Sequence, residues 1–126
     1  MTLTDTVHRY LGALEAGDTA AIVELFAPGG QVISPFLGRL AAPAFFTRLA
    51  ASSRSSRITP IDVLTSAAGG RAVAWFHYRW TLRDGSVLDF DCCDVFDFAA
   101  GSARVALLTI VYDTAPIRAQ VGDKYA

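Results

Sequence analysis

The sequence predicts an α+β domain in which three N-terminal helices pack on a curved, mostly antiparallel sheet. Three observations predict it. Helical spacing of apolar residues is confined to the first half of the chain. Period-two alternation takes over after residue 57. Apart from one short strand before the third helix, the changeover happens once, so helices and strands are segregated rather than alternating. A curved sheet wrapped around helices forms a cone-shaped barrel with a pocket at its open end, a common ligand site.

The elements follow in order. Val7, Tyr10, Leu11 and Leu14 fall at i, i+3, i+4 and i+7 and make one helical face. Thr4 suits the N-cap and Gly17 the stop. Asp18 can cap a second helix with Ile22, Leu25 and Phe26 on its apolar face, ended by "APGG" at 27–30. "QVIS" reads as a short strand closed by Pro35. Pro43 fits the first turn of a third helix, whose buried side is Phe45, Phe46 and Leu49. "RLAASSRSSR", 48–57, reads as a solvated Ser/Arg loop. Residues 57–67, 71–82, 87–98 and 104–114 read as strands, with turns at Gly69-Gly70, Asp84-Gly85 and 99–102. The expectation is a single domain over 1–126, with its core at about 4–114 and a polar tail that frays after Pro116.

Composition narrows the function classes. The chain of 126 residues is 52% hydrophobic and 18% charged, which suits a folded domain rather than a disordered one. Eleven basic and twelve acidic residues are scattered to a net charge of −1, so no basic stripe marks a nucleic-acid partner. Cys92 and Cys93 are neighbours on one predicted strand, point to opposite faces and cannot form an ordinary disulfide with each other. No Cys/His spacing suggests a metal, and no cofactor motif is present. The start of the chain lacks a signal-peptide pattern and no apolar run reaches transmembrane length. A cytoplasmic protein without a membrane partner is therefore expected.

"DFDCCDVFDF", 89–98, holds four aspartates. Alternation puts Asp89, Asp91 and Asp97 on one face with Val87, Cys93 and Val95. The other face carries Leu88, Phe90, Cys92, Asp94, Phe96 and Phe98, so Asp94 stands alone among large apolar neighbours. A three-residue loop at 83–85 with Gly85 left-handed opposes Arg79 to Asp89 and His77 to Asp91, both charge-complementary. A two-residue Asp84-Gly85 turn would shift the register by one and could turn His77 and Arg79 towards the pocket. An aspartate on an apolar face pairs with a cation, binds a metal or keeps its proton. With no cation or ligand set on that face, two readings remain. Asp94 is either a desolvated acid able to donate or shuttle a proton, or a carboxylate accepting backbone N–H bonds at a strand bend.

"RYLGALEAGDTAAIVELFAPGGQVISPF" together with "CDVFDF" resembles the ketosteroid isomerase branch of the nuclear transport factor 2-like superfamily, which also contains the SnoaL-like polyketide cyclases. The resemblance runs from about Thr4 to Asp113. It implies a cone-shaped, cystatin-like α+β barrel with a deep apolar pocket, a homodimer through the outer sheet face, and a small hydrophobic molecule as partner. Ketosteroid isomerases hold an enolate with a tyrosine and a protonated aspartate, while an aspartate before a proline moves the proton; the neutral acid is a standard case of pKa tuning by burial. Tyr10 matches the tyrosine and Asp94 the protonated aspartate. Ser34 of "VISPF" stands where the family has its base, and an unactivated hydroxyl cannot take a proton from carbon. Phe46 falls where a supporting tyrosine is common. Leu14, Phe36, Phe46, Phe90, Leu108, Ile110 and Tyr112 are expected to line the pocket. Three functional readings stand side by side: an isomerase- or cyclase-like enzyme with altered acid–base chemistry, a non-catalytic binding pocket, and a module that mainly dimerises.

Overall fold

The computed structural model describes residues 1–118. Helices α1 (Leu3–Ala16), α2 (Thr19–Glu24) and α3 (Ala42–Ser52) pack on one sheet of six strands. The strands are β1 (Phe26–Ser34), β2 (Gly38–Ala41), β3 (Ser53–Thr65), β4 (Arg71–Leu82), β5 (Val87–Phe98) and β6 (Val105–Tyr112). Their order is β2-β1-β6-β5-β4-β3, antiparallel throughout except where β1 runs parallel to β6. The expected α+β architecture is therefore the observed one, with the sheet curved around the helices and left open.

The first helix begins two residues earlier than its apolar spacing suggested. Thr2, not Thr4, is the cap: its hydroxyl accepts from the Asp5 N–H while the Asp5 carboxylate accepts from the Thr2 N–H. That reciprocal pair satisfies two otherwise orphaned donors. Gly17 closes the helix at φ 69°, and Asp18 caps α2 through the Ala21 N–H. Thr6, fully buried, ties α1 to the loop before β6 by donating to the Ala103 carbonyl at 2.7 Å. Glu15 accepts from the Ile58 N–H at 2.8 Å and so fastens the end of α1 to β3.

Three segments depart from their sequence reading, and in each the pairing partner decides. "APGG" does not end a helix; it lies inside β1, whose pairing with β6 starts at Phe26↔Val105 and resumes at Gln31↔Leu107. The glycines fill that irregularity, Gly29 at φ 77°, where a side chain would be strained. β2 was not legible, because four residues are too few to establish a period and they are ordered by pairing back on β1. The Ser/Arg stretch is no loop: it forms the last turn of α3 and the start of β3. Its serines are engaged locally, Ser53 Oγ donating to the Leu49 carbonyl and Ser56 bonding the Tyr78 hydroxyl at 2.8 Å. Pro60 is accommodated because β3 is an edge strand with a bulge between Pro60 and Asp62.

The β4–β5 hairpin decides the sorting of the aspartates. Leu82 and Ser86 face each other across the turn, Gly85 is left-handed at φ 89°, and the ladder pairs Arg79↔Asp89 and His77↔Asp91. This is the three-residue loop, so the shifted register is excluded. Phe76, Tyr78, Leu88, Phe90, Cys92, Asp94 and Phe96 all point into the core. His77 lies on the outer face, its two ring nitrogens 2.8 Å from Asp91 and 3.0 Å from Asp89. Tail residue Ile117 is buried in a short 3-10 turn, Ala115–Ile117, so the chain is held against the core beyond Pro116. The rest of the predicted fraying tail, 119–126, lies outside the described residues.

Candidate functional site

A cavity of about 310 Å³ opens between the concave face of the sheet and the helices. α1 supplies Tyr10 and Leu14, and the β1–β2 turn supplies Ser34 and Phe36. β5 supplies Phe90 and Asp94, and β6 supplies Ile110 and Tyr112. Two expected lining residues are absent. Leu108 is fully buried on β6 opposite Phe96, so it belongs to the packed core beneath the cavity floor. Phe46 turns towards Tyr10 and Phe26, with ring centroids 6.1 and 5.8 Å away, and its neighbour Phe45 takes the cavity wall instead. Consecutive helical residues point about 100° apart, so a one-residue misreading of a helix face exchanges wall for core.

Asp94 sits in the middle of β5, flanked by Ala74 on β4 and Ile110 on β6, with only 2% of its surface exposed. Cys92, two residues back on the same face, donates its thiol to Asp94 Oδ1 at 3.1 Å. No cation pairs with the carboxyl among the described residues. Burial therefore dominates and raises the carboxyl to about 6, partly opposed by the Cys92 thiol and the Tyr10 hydroxyl, both of which favour the charged form. Of the sequence readings of this residue, the desolvated acid is the one the surroundings match, since no backbone N–H among the described residues donates to its carboxyl.

Tyr10 is held by aromatic edges. Its ring lies 5.0 Å from Phe96 in a T-shaped arrangement and edge-on to Phe46. Its hydroxyl is pushed well above the ordinary tyrosine value, first by burial and then by the nearby Asp94 charge. The Tyr78 hydroxyl is pushed up to about 12 by burial, and burial also raises the Cys92 thiol and the Tyr112 hydroxyl. All four groups keep their protons at neutral pH. Among the described residues lining the cavity, Asp94 alone titrates near neutrality. The residues beside it that sequence reasoning passed over are Cys92 and Tyr78; both lie on the inward face of a period-two strand, which was the available signal.

Ser34 ends β1 and is nearly buried, with its Oγ accepting from the Leu37 N–H at 3.4 Å across the turn that leads to β2. Its own proton remains available to the cavity. Phe36, Tyr112, Phe90 and Tyr78 form a continuous aromatic wall, with successive centroids 6.5, 4.6 and 5.5 Å apart. Such a wall suits a flat, apolar ring system. No cluster of three His, Cys, Asp or Glu among the described residues could hold a metal ion, and no helix among them is long and apolar enough to cross a membrane.

The comparison with protein families agrees with this geometry, since residues 7–106 match the SnoaL-like domain model. The chain belongs to the SnoaL-like domain family. Solved SnoaL-like folds align over nearly their full length. A polyketide cyclase candidate from Pseudomonas putida superposes with TM-score 0.80 at 23% identity, covering 92% of this chain and 95% of that one. A nuclear transport factor 2-like protein of unknown function from Burkholderia pseudomallei gives 0.79 at 21% identity, with 98% and 100% covered. SalBIII, an epoxide hydrolase/cyclase-like enzyme with a role in pyran ring formation in the polyether salinomycin, gives 0.76 at 17% identity, with 90% and 92% covered. At these identities the likeness is one of fold. No curated protein matches this SnoaL-like chain in sequence.

Proposed function

We propose that this SnoaL-like protein is a cofactor-independent acid–base enzyme, an isomerase or cyclase, acting on a hydrophobic carbonyl compound. One observation carries the reading: a carboxyl buried on an apolar cavity wall, raised to about 6, beside a tyrosine hydroxyl that keeps its proton. Tyr10 is the fixed donor to the substrate oxygen. Asp94 holds the proton that moves: it donates it to the oxygen as charge develops there, and its carboxylate then takes up the proton that the substrate's carbon or attacking hydroxyl gives up. A group with a pKa close to the operating pH suits both steps. Ser34 supplies a hydroxyl to orient the substrate or a water and is not the base. The cyclase-like and isomerase-like relatives of the fold support this class of chemistry without naming the substrate.

Ser34 also favours a second reading. With no carboxylate at the end of β1, the cavity would hold a hydrophobic molecule without transforming it. A titration with a fused-ring phenol and the same ring lacking the hydroxyl separates the two. A working oxyanion site favours the phenol by about 1.5–3 kcal/mol, the usual worth of a hydrogen bond to a charged partner. That preference disappears in Asp94→Asn or Tyr10→Phe. Equal affinity for the two rings would leave only the carrier reading.

A further inference from the structure

The cavity has a second polar end. Arg48 on α3 lines it, yet its guanidinium forms no hydrogen bond or ion pair among the described residues. The helix dipole does not account for its position, because its favourable effect is confined to the last turn and no basic residue of α3 lies there.

Arg48 belongs to the end of α3 that is anchored at the turn of the β4–β5 hairpin, whereas Asp94 lies well along β5 from that turn. The C-terminus of α3 is docked on the β4–β5 hairpin: Arg83 donates its N–H to the Ser52 carbonyl at 3.2 Å and its Nε to the Ala51 carbonyl at 2.8 Å. Trp80 Nε1 donates to Ser53 Oγ at 2.8 Å in the same corner. Trp80 pairs with Leu88, which precedes Asp94 by six residues on β5, roughly 20 Å at about 3.3 Å per residue. Arg48 stands one helical turn before Ser52. Apolar side chains, among them Phe45, Leu49 and Phe90, line the same cavity. The corner is also electropositive. Arg54 donates to the Arg83 carbonyl, and the acid of that turn, Asp84, is already engaged by the Ser86 N–H and hydroxyl.

We propose that Arg48 determines specificity by selecting ligands that carry a carboxylate at the end of the hydrophobic body opposite the reacting oxygen. A guanidinium with all its donors free matches a carboxylate in bidentate geometry. An uncharged hydrocarbon tail gains nothing from it. The inference rests on the proposed ligand cavity and extends it by naming the second functional group.

The test uses three probes with the intact protein: naphthalene, a naphthol, and the same naphthol carrying on its far ring a flexible alkyl chain that ends in a carboxylate (the hydroxynaphthoate). The hydroxynaphthoate should bind about fivefold more tightly than the naphthol, the upper range for a solvent-exposed ion pair. Added salt should shrink that advantage. Arg48→Gln should bring the ratio of hydroxynaphthoate to naphthol affinity to one, and Arg48→Lys should retain part of the advantage. Arg48 is exposed, so neither variant threatens folding. Equal binding of naphthol and hydroxynaphthoate, or an advantage that survives Arg48→Gln, overturns the role of Arg48 and leaves the oxyanion site intact. Equal binding of naphthalene and naphthol overturns the oxyanion site alone. Failure of every probe to bind overturns both.

Discussion

Asp94 differs from Asp89, Asp91 and Asp97 only in the direction its Cβ points, and that direction sets its chemistry. The other three meet Arg71, His77 or Arg79 on the solvated face. Asp94 meets a thiol, a phenol and hydrocarbon. A fused-ring ketone accepts hydrogen bonds and donates none, so it gains a second donor beside Tyr10 only when Asp94 is protonated. Its affinity should therefore rise as pH falls through about 6, and the rise should vanish in Asp94→Asn; titration calorimetry across that range reads it. Cys92→Ala removes a donor to the carboxylate and should move the midpoint to higher pH. The same group bears on stability. Its folded pKa lies above the unfolded value of 3.8, so the stability it contributes is present below 3.8 and is lost as pH rises through about 6. The window spans roughly two pH units, or on the order of 3 kcal/mol. Urea unfolding of wild type and Asp94→Asn at both ends of that window should show the variant gaining by about that amount at the upper end. An unchanged difference would mean that Asp94 is not desolvated.

At the scale of elements, the β4–β5 hairpin is the part on which the site depends. A slip of one residue would put His77 and Arg79 on the same face as Asp94, so that either both cations would enter the cavity or Asp94 would leave it. Gly85 prevents the slip by taking φ 89°, and a Cβ there would stand 3.5 Å from the Arg54 guanidinium. The conformational cost, not crowding, is decisive. Gly85→Ala should destabilise the protein by about 1–2 kcal/mol in urea unfolding. The outer-face ladder acts in the same direction, because His77 lies against two carboxylates and its imidazole is raised above the usual 6.5 by their hydrogen bonds. Its outward position also removes it as a candidate base for the cavity. The helices have a different role. α1 delivers Tyr10 from a face whose spacing was plain, whereas α3 delivers Phe45 and Arg48 from one whose boundaries were not.

At the scale of the whole molecule, the helices pack on the concave face of the sheet, and among the described residues nothing covers the convex face. Trp75, Cys93 and Val111 lie in cross-strand register over the three strands β4, β5 and β6, and Trp75 and Val111 are 41% and 51% exposed. We infer that a second copy of the chain covers this stripe, with the charged residues of the same face at its margin. Sedimentation at micromolar concentration should give the mass of a dimer, and Trp75→Glu should give a monomer with an unchanged cavity. A monomeric wild type would refute the pairing. This face is separate from the cavity, so ligand affinity should not depend on association.

Periodicity and turn chemistry in the sequence determined the segregation of helices from strands, the hairpin between β4 and β5, and the inward direction of Tyr10 and Asp94. Those features are local: a 3.6- or two-residue repeat and one glycine suffice to specify them. Tertiary structure decided what no repeat encodes. β1 runs through "APGG" because β6 lies beside it in parallel, and β2 exists because β1 offers it an edge. Phe45 rather than Phe46 faces the cavity because Tyr10 and Phe26 occupy the other direction. Arg48 reaches the cavity because the end of α3 is tied to a hairpin some thirty residues away in sequence. Each of these depends on a partner distant along the chain, and only folding brings that partner within reach.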